Sequence, residues 1–348
     1  ADLGEWLNRM RRLRRREVLR IGIRDMYLKI PMKIIMEELS LLAEIIVSYA
    51  LKGAIARYSD RGAAPPLCIL AMGKLGGSEL NYSSDIDLLC VVGEEADNEA
   101  KTRAASIIEM VRADLSTHTE EGYSYRVDLR LRPYGTGGEL AHGLSSLVKY
   151  YQLHAAPWEL LAALKMRPIS GDMGLGRELC NRVREILMAR RAPQEIFKTV
   201  CHMRQEAIRL ASRALVKTTD LKAGIGGIRD VEFMAQALQL VHISELPELF
   251  TGNTTEALER LGAANIISSS DATSLIEDYL FLRRVEHLLQ IMEDRQIHTL
   301  PKSHEEMEAL AKRLFGPEGT RRRLSEQLEE RTRRIKAKFE KYVGEYGH

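Results

Sequence analysis

Gly76-Gly77-Ser78-Glu79-Leu80-Asn81-Tyr82-Ser83-Ser84-Asp85-Ile86-Asp87-Leu88-Leu89-Cys90-Val91-Val92 is the stretch on which the reading of this chain turns. A glycine turn leads into polar residues and then into an apolar run, and two carboxylates separated by one apolar residue stand at the junction. Side chains alternate faces along a strand, so Asp85 and Asp87 project together, about 6.5 Å apart at Cα, while Ile86 and Leu88 point into a core. Both carboxylates can then reach one divalent cation. Upstream, the apolar run from Leu67 to Met72 breaks at Gly73-Lys74-Leu75-Gly76-Gly77, where missing Cβ atoms let backbone N–H groups approach an anion. Gly76 and Gly77 are the chief members of this phosphate seat, with Lys74 secondary because its surroundings do not form a P-loop. Ser83 and Ser84 either hydrogen-bond phosphate oxygens or cap the turn into the strand.

A third carboxylate is offered by Tyr125-Arg126-Val127-Asp128-Leu129-Arg130-Leu131-Arg132-Pro133. Alternation puts Val127, Leu129 and Leu131 on one face and Arg126, Asp128, Arg130 and Arg132 on the other. The arginines keep Asp128 ionised and offer bidentate donors to phosphate oxygens. If this strand lies beside the Asp85 strand, three acids converge, as a two-metal displacement at phosphorus requires.

These motifs resemble those of DNA-polymerase-β-type nucleotidyltransferases, and specifically the glutamine synthetase adenylyltransferase family. The matching pieces are Gly73 to Gly77, Glu79 to Asp87, Val127 to Pro133, Trp158-Glu159 followed by Lys165 and Arg167, and Gly226-Gly227-Ile228-Arg229-Asp230-Val231-Glu232-Phe233. Full-length members carry two such cores in tandem, one removing AMP from a tyrosine of glutamine synthetase by phosphorolysis and one attaching it from ATP. One core is present here, and Asn81 and Arg229 look more like the removing half. Ser78 stands where a third glycine is common, and Leu160 where the removing half usually has Arg.

The resemblance implies an α+β fold: a polymerase-β-like palm with a mixed sheet, N-terminal helices and a C-terminal helical bundle. It implies Mg²⁺ or Mn²⁺ on Asp85, Asp87 and Asp128, and a phosphate chain seated by Gly76, Gly77 and Ser78, with Ser84 as a further phosphate contact. Arg130 or Arg132 then orients the incoming phosphate that is consumed to give ADP. The implied partners are glutamine synthetase and the PII regulatory protein, in the control of nitrogen assimilation. Alternatives are the ATP-dependent attaching activity, or a binding module for PII or glutamine without chemistry of its own.

Composition sets the outer bounds. A chain of 348 residues with 45% hydrophobic and 29% charged residues builds a substantial core in two or three units. A net charge of +2 argues against bulk nucleic acid as a partner. Arg11, Arg12, Arg14, Arg15 and Arg16 read as the solvated face of an N-terminal helix. Four scattered cysteines (Cys68, Cys90, Cys180, Cys201) lack Cys-x-x-Cys spacing, so zinc is not expected, and Cys68 and Cys90, in apolar strand runs, read as buried reduced thiols. The nine histidines form no pair or triad with the acids. The apolar run from Ile34 to Leu51 is interrupted by Glu37, Glu38 and Glu44, which excludes a membrane span, and no signal peptide is visible; a cytoplasmic protein is expected. The first residue is Ala, as expected of a fragment.

The expected divisions are 1–62, an N-terminal helical segment broken near Pro31; 63–172, the nucleotidyltransferase core; and 173–348, a helical bundle. Strands are expected near 67–72, 86–92 and 124–132, with a helix across 97–121. A mobile turn at 133–138 precedes helix over 144–167, with Trp158 as a core anchor. Further helices are expected near 174–190, 194–217, 228–243, 254–262, 271–293, 303–314 and 319–345, the last an ion-paired surface helix.

Overall fold

Six apolar residues in succession bury both faces of a strand, and Leu67–Met72 forms such a strand, β1, with every residue inaccessible. In this computed structural model, which describes residues 2–58, 63–94, 96–212, 220–293 and 297–344, β1 is central to a mixed five-stranded sheet. It pairs antiparallel with β2 (Ile86–Val92) on one side and with β5 (Arg167–Gly171) on the other. The outer edge of β2 is shared by two short parallel strands in succession. Its start pairs with β3 (Val127–Asp128) and its end with β4 (Ala141–Gly143).

The sheet belongs to the first of two units, residues 1–187, the second being 188–348. In the first, α1 (Leu3–Met26) and α2 (Met32–Tyr58) are separated at Pro31, which cannot continue an incoming helix. Helix α2 packs on α1, on α4 (Asn98–Ser116) and on β5; α3 is the short turn Gly73–Gly76. Asp97 caps α4 by accepting the Ala100 N–H at 2.7 Å. The rest of the unit comprises α5 (Leu144–Leu153), α6 (Pro157–Ala163) and α7 (Met173–Leu187).

Three local expectations are corrected. The helix expected over 144–167 is two helices followed by β5, because Pro157 starts a new helix and the chain then turns at Leu164 into Arg167–Gly171. Trp158 is 40% exposed and anchors no core; the apolar face of α6 is carried by Leu160 and Leu161. Arg11 is not on a solvated face. It is buried and donates to the carbonyls of Gly122, Asp114 and Thr117, capping the end of α4, whose last carbonyls have no partner in the helix.

The second unit is helical: α8 (Pro193–Ser212), α9 (Ile228–His242), α10 (Thr254–Ala263), α11 (Ser269–Glu293), α12 (His304–Phe315) and α13 (Arg321–Tyr342). Asn253, Ser303 and Thr320 cap α10, α12 and α13. Helix α13 carries ion pairs as expected, yet Leu324, Leu328, Ile335 and Phe339 bury one side of it. Parts of three sequence expectations, residues 1 and 59–62 of the N-terminal segment 1–62, 213–217 of the helix near 194–217 and 345 of the last helix, lie outside the described residues. Among the described residues no helix is long and apolar enough to cross a membrane, and Cys68, Cys90, Cys180 and Cys201 are free thiols.

What fastens the turn between β1 and β2 is a buried ion pair. Lys165 Nζ lies 2.6 Å from Glu79 Oε2, with Glu79 fully buried. Beside it, Arg167 donates to the carbonyls of Leu75 and Gly76 and to Glu44 on α2. Removing one member of a buried pair leaves the other charge without compensation, so Lys165→Met is expected to lower unfolding free energy by about 3–5 kcal/mol. Urea unfolding checks this; a loss below about 1 kcal/mol would show that the turn is held by other means.

Candidate active site

Strand register brings the acids together. On β1, β2 and β3, Met72, Asp87 and Asp128 stand abreast. Asp87 and Asp128 therefore share a face on neighbouring strands roughly 5 Å apart. Asp85 lies just before β2, so of these two carboxylates only Asp87 is within the strand. Its carboxylate accepts Arg126 Nε at 2.5 Å, and the same guanidinium donates to the Tyr123 hydroxyl and the Ser83 carbonyl. Ile86 and Leu88 are buried, as alternation requires.

The expected strand 124–132 is only two residues long, and Asp128 explains why. Its Oδ1 accepts the Arg130 N–H at 2.8 Å, turning the chain out of the sheet in an Asx-type turn. Arg130 folds back onto the same carboxylate, with a guanidinium nitrogen 2.6 Å from Oδ2. Burial pushes the Asp128 carboxyl upward, but these hydrogen bonds and the charges of Arg130 and Arg132 outweigh it and hold the group below the usual carboxylate range. Arg132 donates to the carbonyls of Leu129, Thr136 and Gly138, tying together the loop at 133–138, in which Gly135–Gly137 forms a single 3₁₀ turn.

Gly76 and Gly77 are buried and Ser78 is half-buried with φ 56°. Gly76 has a packing reason to lack a side chain: a Cβ there would overlap the Lys165 carbonyl. Ser84 is buried, 8% exposed. The glycine that faces the acids is Gly73, with φ 54°, where a Cβ would overlap the Asp87 carboxylate. Its position directly after an apolar strand was the available signal, but a turn glycine does not announce which side chain it faces.

A cleft of about 460 Å³ is lined by Asp85, Asp128, Arg126, Arg130 and Arg132, together with Glu109 and Arg112 of α4. Asp87 is not among its lining residues; it lies inward, against Gly73. Glu109 and Arg112 carry no sequence signal, since they read as the polar side of an amphipathic helix. Among the described residues no three His, Cys, Asp or Glu side chains are gathered as a metal-binding group. The donor chemistry is nevertheless that of a hard divalent cation: all three candidates are carboxylates and Asp87 and Asp128 stand abreast, with Gly73 lacking the Cβ that would strike the Asp87 carboxylate.

Two consequences can be measured. Gly73→Ala places an L-residue in left-handed backbone, costing about 1–2 kcal/mol by that effect alone, and displaces Asp87; urea unfolding reads the first effect. Because the folded-state carboxyl of Asp128 is depressed, its stabilising contribution is present above the unfolded value of ~3.9 and is lost as pH falls through the folded value. Wild type is therefore expected to exceed Asp128→Asn in stability at pH 7 and to converge with it near pH 2, as denaturant titrations at both pH values would show.

Residues 2–182 match the family model for glutamate-ammonia ligase adenylyltransferase, and residues 197–343 match that for GlnD PII-uridylyltransferase. A bifunctional glutamine synthetase adenylyltransferase/adenylyl-removing enzyme of Streptomyces coelicolor is 38% identical over 307 residues, covering 86% of this chain and 30% of the relative. Relatives of the same name from Mycobacterium avium (36% over 312 residues, 88% and 30% of the two chains) and Thioalkalivibrio sulfidiphilus (33% over 318 residues, 87% and 33%) agree with it. The chain thus spans about a third of the length of these relatives. With more than half of its residues matched by the first model, the chain belongs to the glutamate-ammonia ligase adenylyltransferase family.

Proposed function

We propose that this chain removes AMP from an adenylylated tyrosine of glutamine synthetase by phosphorolysis, releasing ADP. The observation that carries the reading is the register that sets Asp87 beside Asp128, with Asp85 two residues away and arginines around them. The printed names of the relatives include an adenylyl-removing activity. On this reading residues 63–172 form a polymerase-β-like nucleotidyltransferase palm completed by α7 of the same unit and braced by α1 and α2, and the helical bundle, expected from 173, begins at 188. The free cysteines accord with work in the reducing cytoplasm.

The chemistry is one displacement at phosphorus. An oxygen of inorganic phosphate forms a bond to the phosphorus of the AMP group as the bond from that phosphorus to the tyrosine oxygen breaks. The products are ADP and a tyrosine phenolate, which takes its proton from water; with a phenol pKa of about 10 it leaves without a dedicated general acid. Asp85, Asp87 and Asp128 would hold Mg²⁺ or Mn²⁺, which supplies electrostatic stabilisation of the attacking and leaving oxygens. The phosphate chain is assigned to the turn of Gly76, Gly77 and Ser78, in which the Gly77 and Ser78 N–H groups donate to the Gly73 and Leu75 carbonyls, and Ser84 to the entry of β2; none of the four lines the cleft. Arg130, whose side chain is 72% exposed, is the better placed of the two candidate arginines to orient phosphate, since Arg132 is tied to loop carbonyls.

The match of residues 197–343 to the GlnD PII-uridylyltransferase model supports a regulatory role for the second unit, with PII as the partner. It also favours retaining a second reading, a PII-responsive module. The deciding experiment follows labelled nucleotide released from adenylylated glutamine synthetase with Mg²⁺, with and without phosphate. Phosphate-dependent ADP release is expected, abolished by EDTA and lowered at least about 10²-fold in Asp87→Asn. AMP incorporation from ATP without any release would assign the attaching activity instead, and silence in both directions would favour the binding module.

A further inference from the structure

Four guanidiniums line the cleft beside Asp85 and Asp128, and their commitments differ. Arg126 bridges Asp85, Tyr123 and Ser83, so moving it would open the turn that carries Asp85. Arg130 grips Asp128 through both its side chain and its backbone N–H. Arg132 holds the 133–138 loop through carbonyls. Arg112 is held differently: its Nε donates to both Glu109 oxygens at 3.0 and 2.9 Å and a terminal guanidinium nitrogen donates to Oε1, all one helical turn back on the same helix, with both side chains nearly half exposed. An exposed i, i+3 pair is screened by salt and lies within one helix, so Arg112 can be redirected without disturbing Asp85, Asp128 or the 133–138 loop.

The cleft is open enough to admit a tetrahedral oxyanion, and the planar fork of an arginine matches two oxygens of such an ion. Glu109, which also lines the cleft, would be repelled by that ion and would release Arg112 to it. We infer that Arg112 of α4 is a phosphate-binding residue of this cleft, exchanging Glu109 for the incoming inorganic phosphate. This assignment of the nucleophile's site rests on the phosphorolytic reading above, while the binding itself does not require turnover.

The test uses the whole chain and two readouts. In binding, the rise in thermal midpoint produced by inorganic phosphate is compared with that produced by ADP, for wild type, Arg112→Ala, Arg112→Lys and Glu109→Gln. The phosphate-induced rise is expected to be lost in Arg112→Ala, partly kept in Arg112→Lys and reached at lower phosphate in Glu109→Gln, with the ADP-induced rise kept throughout. In turnover on adenylylated glutamine synthetase, Arg112→Ala is expected to raise the KM for phosphate about tenfold, more than it lowers kcat. Loss of the ADP response with the phosphate response intact, or an unchanged response to both, overturns the inference. A phosphate response that depends on Arg112 in a protein showing no phosphorolysis upholds the site and removes the phosphorolytic reading instead.

Discussion

The hydrogen-bonded register across β1, β2 and β3 is the constraint from which the site follows. Because side chains alternate along a strand, slipping β2 by one residue would turn Asp87 into the core and bring Ile86 or Leu88 to the surface. That slip is opposed from both sides. The inward face of β2 is apolar and buried, and β1, buried over its whole length, pairs with it residue for residue from Leu67 opposite Val92 to Met72 opposite Asp87. The hydrophobic pattern therefore specifies the position of a charged group that contributes nothing to the core itself.

Around that register the structure manages a concentration of charge. Asp85 and Asp128 each accept an arginine, while the buried Glu79–Lys165 pair and Arg167 fasten the preceding turn to β5 and α2. These contacts have different energetic character. The buried pair is stabilising only as a pair, since desolvation penalises either ion alone. Arg126 and Arg130 are partly exposed and balance Asp85 and Asp128 while also holding the local backbone. A fixed turn thus lies beneath a set of partly exposed ion pairs.

The second unit shows another use of buried charge. Asp230 is 3% exposed, is gripped by Arg204 through two nitrogens and accepts the Gly226 N–H. Asp278, fully buried, is matched by Arg331 and Arg334 of α13. Gly226 has φ 72° and lies where a Cβ would overlap the Thr332 carbonyl, so the Gly-Gly-Ile-Arg-Asp sequence is explained locally by close helix packing and an aspartate cap. These pairs join helices distant in sequence, which gives the bundle specific partners that apolar contacts alone would leave interchangeable.

By itself, the sequence determined the elements whose causes are local. The β1 run, the break at Pro31, the alternation that buries Ile86 and Leu88, and most helix spans are set by periodicity and capping within a few residues, and the candidate acids Asp85, Asp87 and Asp128 could be named from the sequence. Tertiary structure decided the rest, because its causes lie far apart along the chain. Asp128 ends its own strand by bonding the next turn, Arg11 is drawn from a basic run to cap a helix a hundred residues away, and Gly76 is a glycine on account of Lys165. Arg112 joins the cleft only because α4 packs beside β3. A pattern in sequence reports what one side chain prefers, whereas a site is a statement about which distant groups share a few ångströms of space.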